Sequence, residues 1–295
     1  MKPESQTLSV SCESCGAQIL FHAHERTLRC PYCDSPAVVD RPATLNRPDP
    51  LFAFRFLVSS ERAREQVRVW IKGRKMGPFG WRKKAQEKGK GKGVYLPTYL
   101  YSATAYSSFH AEIGEEYTSG KEKQIEYRHL KGEHAAYLGD VLVTASRGIP
   151  NREVERIEPF YMDTLLRYSP KIISGWISEE PSMTREECLV LAREESAAKV
   201  REMLLEFLPG DRYKNLGFEM DLRDESLDLT LVPIWVFAVH YDETKPSVRV
   251  LVNGQTGEVY GKVPLSVGKV LLLILSVFGV AGFFVVLLFM LGVIH

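Results

Sequence analysis

From Ser59 onward the apolar residues Ala63, Val67, Trp70 and Ile71 recur at helical spacing, with Ser59 and Ser60 placed to cap the start. Gly73, Gly77, Pro78 and Gly80 then interrupt the helix. Alternation of period two follows in Val94 to Phe109, Lys123 to Leu130 and Ala135 to Thr144, which predicts antiparallel strands. The order then recurs. Thr184 and Glu187 form a capping box before an uncharged stripe of Leu189, Ala192, Ser196, Val200, Met203, Leu204 and Phe207, ended by Pro209-Gly210. More strands are expected near 216–222, 228–240, 247–253 and 257–262, with Asn253-Gly254 and Thr256-Gly257 as turns. Leu96-Pro97-Thr98-Tyr99-Leu100-Tyr101 matches Val232-Pro233-Ile234-Trp235-Val236-Phe237 position by position. The match marks either a duplicated helix-plus-meander unit or a chance agreement over six positions.

Both ends of the chain depart from this pattern. Val270 to Ile294 is a run of 25 uncharged residues interrupted only by Ser276 and three glycines. As a helix it would extend about 37 Å, beyond a hydrocarbon core of about 30 Å, so a transmembrane helix is expected there. Lys262 and Lys269 precede the run and only His295 follows it, an asymmetry that favours a tail-anchored protein with its body in the cytoplasm. The N-terminus has no apolar stretch of the kind found in cleaved signals. Residues 7 to 40 read as short strands around two cysteine turns, and Pro36, Pro42, Pro48 and Pro50 then punctuate a stiff linker. The expected fold class is therefore α+β: an N-terminal zinc ribbon over 1–41, a linker over 42–58, α+β units over 59–145 and 184–264 joined by 146–183, and a transmembrane helix over 270–294.

Four of the five cysteines form two Cys-x2-Cys pairs, Cys12 with Cys15 and Cys30 with Cys33, a spacing that in a reducing compartment favours a metal over disulfides. Four thiolates close a tetrahedral shell around one structural Zn2+ and leave no open position for water. His22 and His24 lie between the pairs as alternative ligands or as solvent-facing strand residues. The stretches Cys12-Glu13-Ser14-Cys15-Gly16-Ala17 and Leu28-Arg29-Cys30-Pro31-Tyr32-Cys33 resemble the rubredoxin-type and TFIIB-type zinc ribbons, although Asp34 stands where a second glycine is common. Further on, Gly93-Val94-Tyr95-Leu96-Pro97, Ile157-Glu158-Pro159-Phe160, Ser174-Gly175-Trp176 and Val232-Pro233-Ile234-Trp235 occur in an order similar to a group of bacterial zinc-ribbon membrane proteins often labelled primosomal-helicase-like. The resemblance implies a bacterial inner-membrane location and carries the ligand role to Cys12, Cys15, Cys30 and Cys33. It does not carry helicase chemistry. Gly257-Glu258-Val259-Tyr260-Gly261-Lys262-Val263 and Gly89-Lys90-Gly91-Lys92-Gly93 both lack the spacing or hydroxyl residue of a phosphate-binding loop.

A net charge of +1 argues for neither a nucleic-acid coat nor an acidic tail, but the charge is segregated. Lys72, Arg74, Lys75, Arg82, Lys83, Lys84, Lys88, Lys90 and Lys92 stand together against Glu87 alone, a candidate surface for anionic lipid or nucleic acid, or else a solvated loop. His110, Glu112, Glu115, Glu116, His129 and His134 invite a metal or acid–base site, yet they match no catalytic spacing and read more simply as strand-edge polars. Cys188, one residue off its helical stripe, reads as a small core residue. Tyr95, Tyr99, Tyr101, Tyr106 and Trp235 read as sheet core. No catalytic set emerges. The expectation is a membrane-anchored, cytoplasmic zinc-ribbon adaptor for a protein partner, with a membrane-tethered nucleic-acid binder or an enzyme with an unrecognised site as alternatives.

Overall fold

A computed structural model describes residues 7–11, 18–22, 27–29, 36–38, 49–75, 77–78, 80–87, 91–119, 122–242, 245, 247–264, 266, 268–269, 271 and 276. Its first elements are β1 (Thr7–Ser11), β2 (Gln18–His22), β3 (Thr27–Arg29), β4 (Pro36–Val38), β5 (Phe52–Phe54), α1 (Ser60–Gly73), α2 (Trp81–Lys84) and β6 (Gln86–Glu87). Next come β7 (Lys92–Ser119), β8 (Glu122–Thr144), α3 (Asn151–Val154), β9 (Leu165–Arg167) and β10 (Ile177–Ser178). The last are α4 (Arg185–Phe207), β11 (Arg212–His240), β12 (Val248–Asn253) and β13 (Val259–Gly261). β1 with β2 and β3 with β4 make separate two-stranded sheets, and nine strands join in one mixed sheet. The chain divides into two compact units, one of Met1–Phe56 with Val94–Pro233 and one of Leu57–Gly93 with Ile234–His295.

In the first unit β7 is the central strand. It pairs antiparallel with β8 from Thr98 to Ser119 and with β11 from Tyr95 to Gly114. Two parallel pairings, β10 on β7 and β5 on β11, complete the mixed character, and β9 adds antiparallel to β5. The stretches expected as separate strands at 216–222 and 228–240 are one strand. Its register shifts between Lys214 and Gly217 and between Arg223 and Ser226, where Asn215 and Asp224 take left-handed backbone at φ 53° and 54°. Asn and Asp tolerate that conformation better than most residues, so each shift bends the strand without ending it.

α4 covers one face of this sheet. Its capping box is present: Thr184 Oγ accepts from the Glu187 amide at 3.2 Å and Glu187 Oε2 from the Thr184 amide at 2.8 Å. The buried stripe runs Cys188, Ala192, Ser196, Val200 and Leu204, so Cys188 lies within it. It packs on Tyr101, Ala103, Ala105, Leu138 and Val141, small residues letting the helix approach the strands closely. A second cluster forms where Phe56 stacks on Trp176 at 3.9 Å with Tyr95 edge-on at 5.2 Å from Phe56.

In the second unit α1 buries Ala63, Val67, Trp70 and Ile71, the stripe expected from spacing, and Ser59 Oγ caps it by accepting from the Arg62 amide at 3.3 Å. Asn253 Oδ1 accepts from the Gln255 and Thr256 amides at 2.7 and 3.1 Å and sets the turn between β12 and β13. Gly257 in that turn has φ +81°, and Trp235 Nε1 donates to the Val58 carbonyl at 2.9 Å.

These observations correct the expected fold class. Among the described residues the protein is mainly a large mixed sheet with few helices, not an antiparallel body of repeated units. Of the two matching hexapeptides only the first positions meet: Leu96 of β7 lies directly opposite Val232 of β11. Both stretches lie in largely buried strands, which favours similar apolar residues in each. The connector 146–183 holds two sheet strands too short to leave a periodic signal. Among the described residues no helix is long and apolar enough to cross a membrane, and no group of three or more His, Cys, Asp or Glu could hold a metal ion. The transmembrane and zinc features of the expected fold are thus no part of the described fold. Cys12, Cys15, Cys30 and Cys33, and all of 270–294 except Leu271 and Ser276, lie outside the described residues.

Candidate functional site

α4 protects only one face of the β7, β8 and β11 sheet, so alternate residues of the same strands project from the other. Thr104, Tyr106 and Ser108 of β7 sit opposite Tyr137, Ala135 and Glu133 of β8 and opposite Arg223, Asp221 and Glu219 of β11. Tyr106 is 44% exposed and Tyr137 70% exposed. The Arg223 guanidinium lies over the Tyr106 ring at 4.8 Å and donates to Asp221 at 2.7 Å. A hollow of about 670 Å³ opens here, lined among others by Tyr106, Glu133, His134, Glu219 and Asp221. Tyr106 was expected in the core with Tyr95, Tyr99, Tyr101 and Trp235; those four are buried and Tyr106 is not, because its strand parity faces it away from α4.

The second unit carries a hollow of opposite character, about 590 Å³, lined by Lys72, Gly80, Trp81, Lys83 and Lys269. Trp81 forms its floor, donating from Nε1 to the Ile71 carbonyl at 3.3 Å and meeting Trp70 edge-on at 6.4 Å. Lys269 Nζ donates to the carbonyls of Lys75 at 3.0 Å and Gly77 at 2.7 Å. Of the expected basic surface, Lys72, Lys75, Lys83, Lys84 and Lys92 are described and largely exposed. The Arg74 guanidinium lies over the Trp70 ring at 4.7 Å. The side chain of Arg82 and all of Lys88 and Lys90 lie outside the described residues. Lys269, far along the chain, was not part of that surface as read from sequence, since only folding brings it to the loop.

A third place escaped the sequence reading altogether. Burial pushes the Glu158 carboxyl up to about 7, and the negative charge of Glu195 adds to the shift while Lys199 opposes it. Glu158 Oε1 is buried with no hydrogen-bond partner among the described residues. Burial also raises Glu195, although Asn151 donates to it at 3.1 Å. A carboxyl held near neutrality can give or take a proton. No activated nucleophile accompanies it: burial pushes the Cys188 thiol up to about 11, where it stays protonated and lies 3.5 Å from the Thr144 carbonyl.

The histidines and glutamates of the hairpin do not converge. Glu115 pairs with Arg128 at 2.7 Å, Glu116 with Arg212 at 2.9 Å, and Glu112 accepts from Asn215 at 3.0 Å. His110 packs over Gly217, where a Cβ would meet its ring at 2.5 Å, and His134 lies 5.2 Å from the Phe207 ring. His110, Glu115, Glu116 and His129 are exposed strand polars, whereas Glu112 and His134 are half-buried and His134 Nδ1 is buried with no hydrogen-bond partner among the described residues.

No family model matches the chain, and no solved structure does. The chain is similar to the uncharacterized protein YdjG of Bacillus subtilis (strain 168), 24% identical over 220 residues. That match covers 73% of this chain and 64% of the relative's length, so the chain spans less than two thirds of it.

Proposed function

We propose that this chain is a protein-interaction adaptor whose partner docks on the open face of β7, β8 and β11. The observation that carries the reading is Tyr106 standing exposed with Arg223 at one hollow, and Tyr137 exposed on the same face opposite Thr104, on strands whose other face α4 packs. Tyr and Arg dominate the energetics of protein interfaces, and a sheet holds them at little cost in ordering. Glu133 and Glu219 leave the hollow acidic, which suits a partner segment bearing basic side chains. The metal and the anchor are read from the sequence. Cys12, Cys15, Cys30 and Cys33 supply the thiolates for one structural zinc, and the hydrophobic segment 270–294 would bring the body to a bilayer. The short hairpins β1–β2 and β3–β4, each joined through one cysteine pair, support the zinc assignment. The test places a photo-cross-linking residue at Tyr137 of the full chain and, as a control, at exposed Tyr161. One defined protein should cross-link at 137 only, and Tyr106→Ala with Arg223→Ala should abolish it. Identical products from both positions, or none, would sink the reading.

A nucleic-acid reading draws on the basic residues from Lys72 to Lys92, and retention on DNA that collapses with salt would favour it. An enzymatic reading draws only on Glu158.

A further inference from the structure

The hollow over Trp81 gathers positive charge from three lysines. Its three charged lining residues are Lys72, Lys83 and Lys269, and none is acidic. The sequence from Lys72 to Gln86 contains no aspartate or glutamate. Neither Lys72 nor Lys83 has an ion pair among the described residues. Like charges around one concavity repel, and the repulsion is relieved when an anion enters.

The hollow is also built and not merely lined. Trp81 is 1% exposed and closes the floor with an indole, a surface that excludes water and strengthens electrostatic interactions above it. The loop on one side is pressed against that indole: a Cβ on Gly77 would meet Trp81 Cγ at 2.9 Å and Val263 at 3.1 Å. Lys269 fixes the same loop through the Lys75 and Gly77 carbonyls, so its charge is held in place before any ligand arrives. Gly80, at φ +80°, turns the chain into α2 and lets the Lys84 stem lie 3.3 Å from where its own Cβ would be. Lys72 sits in the last turn of α1 and Lys83 in α2, so both rise from short ordered elements. About 590 Å³ exceeds what one phosphate fills and leaves room for the group that carries it.

We propose that this hollow binds a phosphate group, held by the ammonium groups of Lys72 and Lys83 above the Trp81 indole, with Lys269 fixing the loop beside it. Lysine recognises phosphate as a compact point charge and requires no planar partner. The phosphate belongs either to a lipid headgroup or to a free phosphorylated molecule, since both present the same anion. This site stands independently of the docking face on the first unit.

The test uses the full chain in an uncharged detergent, with two probes: inorganic pyrophosphate, followed by equilibrium dialysis, and micelles doped with phosphatidylglycerol or, as the neutral control, phosphatidylcholine. The Lys72→Gln, Lys83→Gln double variant should bind about thirtyfold more weakly, each lysine contributing about fivefold. The Lys72→Arg, Lys83→Arg variant should keep most of the affinity, and a thermal midpoint equal to that of the parent shows that the glutamine variant is folded. Should that midpoint fall, the arginine variant and Lys83→Gln alone carry the comparison. Lys131→Gln with Lys171→Gln removes the same charge from exposed positions elsewhere and should change binding less than twofold. Binding of phosphatidylglycerol alone assigns a headgroup, and binding of pyrophosphate alone assigns a soluble ligand. The proposal is overturned if the parent binds neither probe, if the remote pair weakens binding as much as the double variant, or if duplex DNA binds more tightly than pyrophosphate and is not displaced by it.

Discussion

Tyr106 and Tyr137 stand on long strands and keep 44% and 70% of their surface in solvent, whereas Trp81 lies beneath its hollow with 1% exposed. The first hollow is acidic and stands on a sheet that would exist without it. The second is basic and is assembled from a helix end, a glycine-rich loop and a distant lysine, with the aromatic residue serving as its foundation. In one, aromatic surface stays in solvent; in the other, it is buried by folding. Variants of the two should therefore separate stability from binding in opposite ways.

The largest expected effect tests that separation directly. Trp81→Ala should destabilise the second unit by about 3–5 kcal/mol, through lost burial and the cavity left behind. Tyr137→Ala, on the open face, should stay within about 0.5 kcal/mol of the parent. Chemical denaturation followed by tryptophan fluorescence measures both, and equal losses would erase the distinction.

Next in size is the pH dependence of the first unit. The Glu158 carboxyl is raised from 4.5 to about 7, so the folded chain holds this proton more tightly than the unfolded chain does. The Glu158 contribution should therefore be fully present below about pH 4.5 and decline by roughly 3 kcal/mol as pH rises through 7. Glu195 is shifted the same way and steepens the decline. Glu225 is lowered, chiefly by the hydrogen bonds from Arg193, so its contribution is lost only below the ordinary carboxylate range and leaves this window clear. Glu158→Gln should remove most of the decline, as read from denaturant midpoints between pH 4.5 and 8. A parallel pH profile in the variant would dismiss Glu158 as the source.

A smaller effect concerns how the basic hollow is built. Gly77→Ala places a methyl 2.9 Å from Trp81 Cγ and should cost about 1–3 kcal/mol, while Gly73→Ala meets nothing within 4 Å and should be neutral or stabilising by up to about 1 kcal/mol. Thermal midpoints moving in the same direction for both would show that the loop is not pressed onto the indole. Smallest is the exposed pair on the sheet: Arg128→Ala, which breaks the 2.7 Å contact with Glu115, should cost less than about 1 kcal/mol and less still in high salt.

The local elements were legible because their causes are local. The α1 stripe of Ala63, Val67, Trp70 and Ile71, the Thr184–Glu187 capping box and the Asn253 turn depend on residues within a few positions of one another, and all stand where spacing put them. The apolar C-terminal run and the two Cys-x2-Cys pairs are likewise facts of sequence alone. Strand identity was different. Whether 216–222 and 228–240 are two strands or one depends on Asn215 and Asp224 accepting left-handed backbone while β7 supplies hydrogen bonds across the irregularity. The likeness of Leu96–Tyr101 to Val232–Phe237 looked like repetition, yet in the sheet the first stretch pairs with 227–232 of β11 and the second from Ile234 onward with β12, both in buried strands. Tyr106 has the opposite parity on β7 from Tyr99, Tyr101, Ala103 and Ala105, so alternation puts it on the other face, and only the placement of α4 decides which face is covered. Lys269 reaches Lys75 and Gly77 across 194 and 192 positions, and Glu158 titrates near neutrality because folding buries it beside Glu195. Periodicity along a chain reports which residues share a face; which face is buried, and which distant charge arrives there, is settled by the packing of elements that carry no local record of one another.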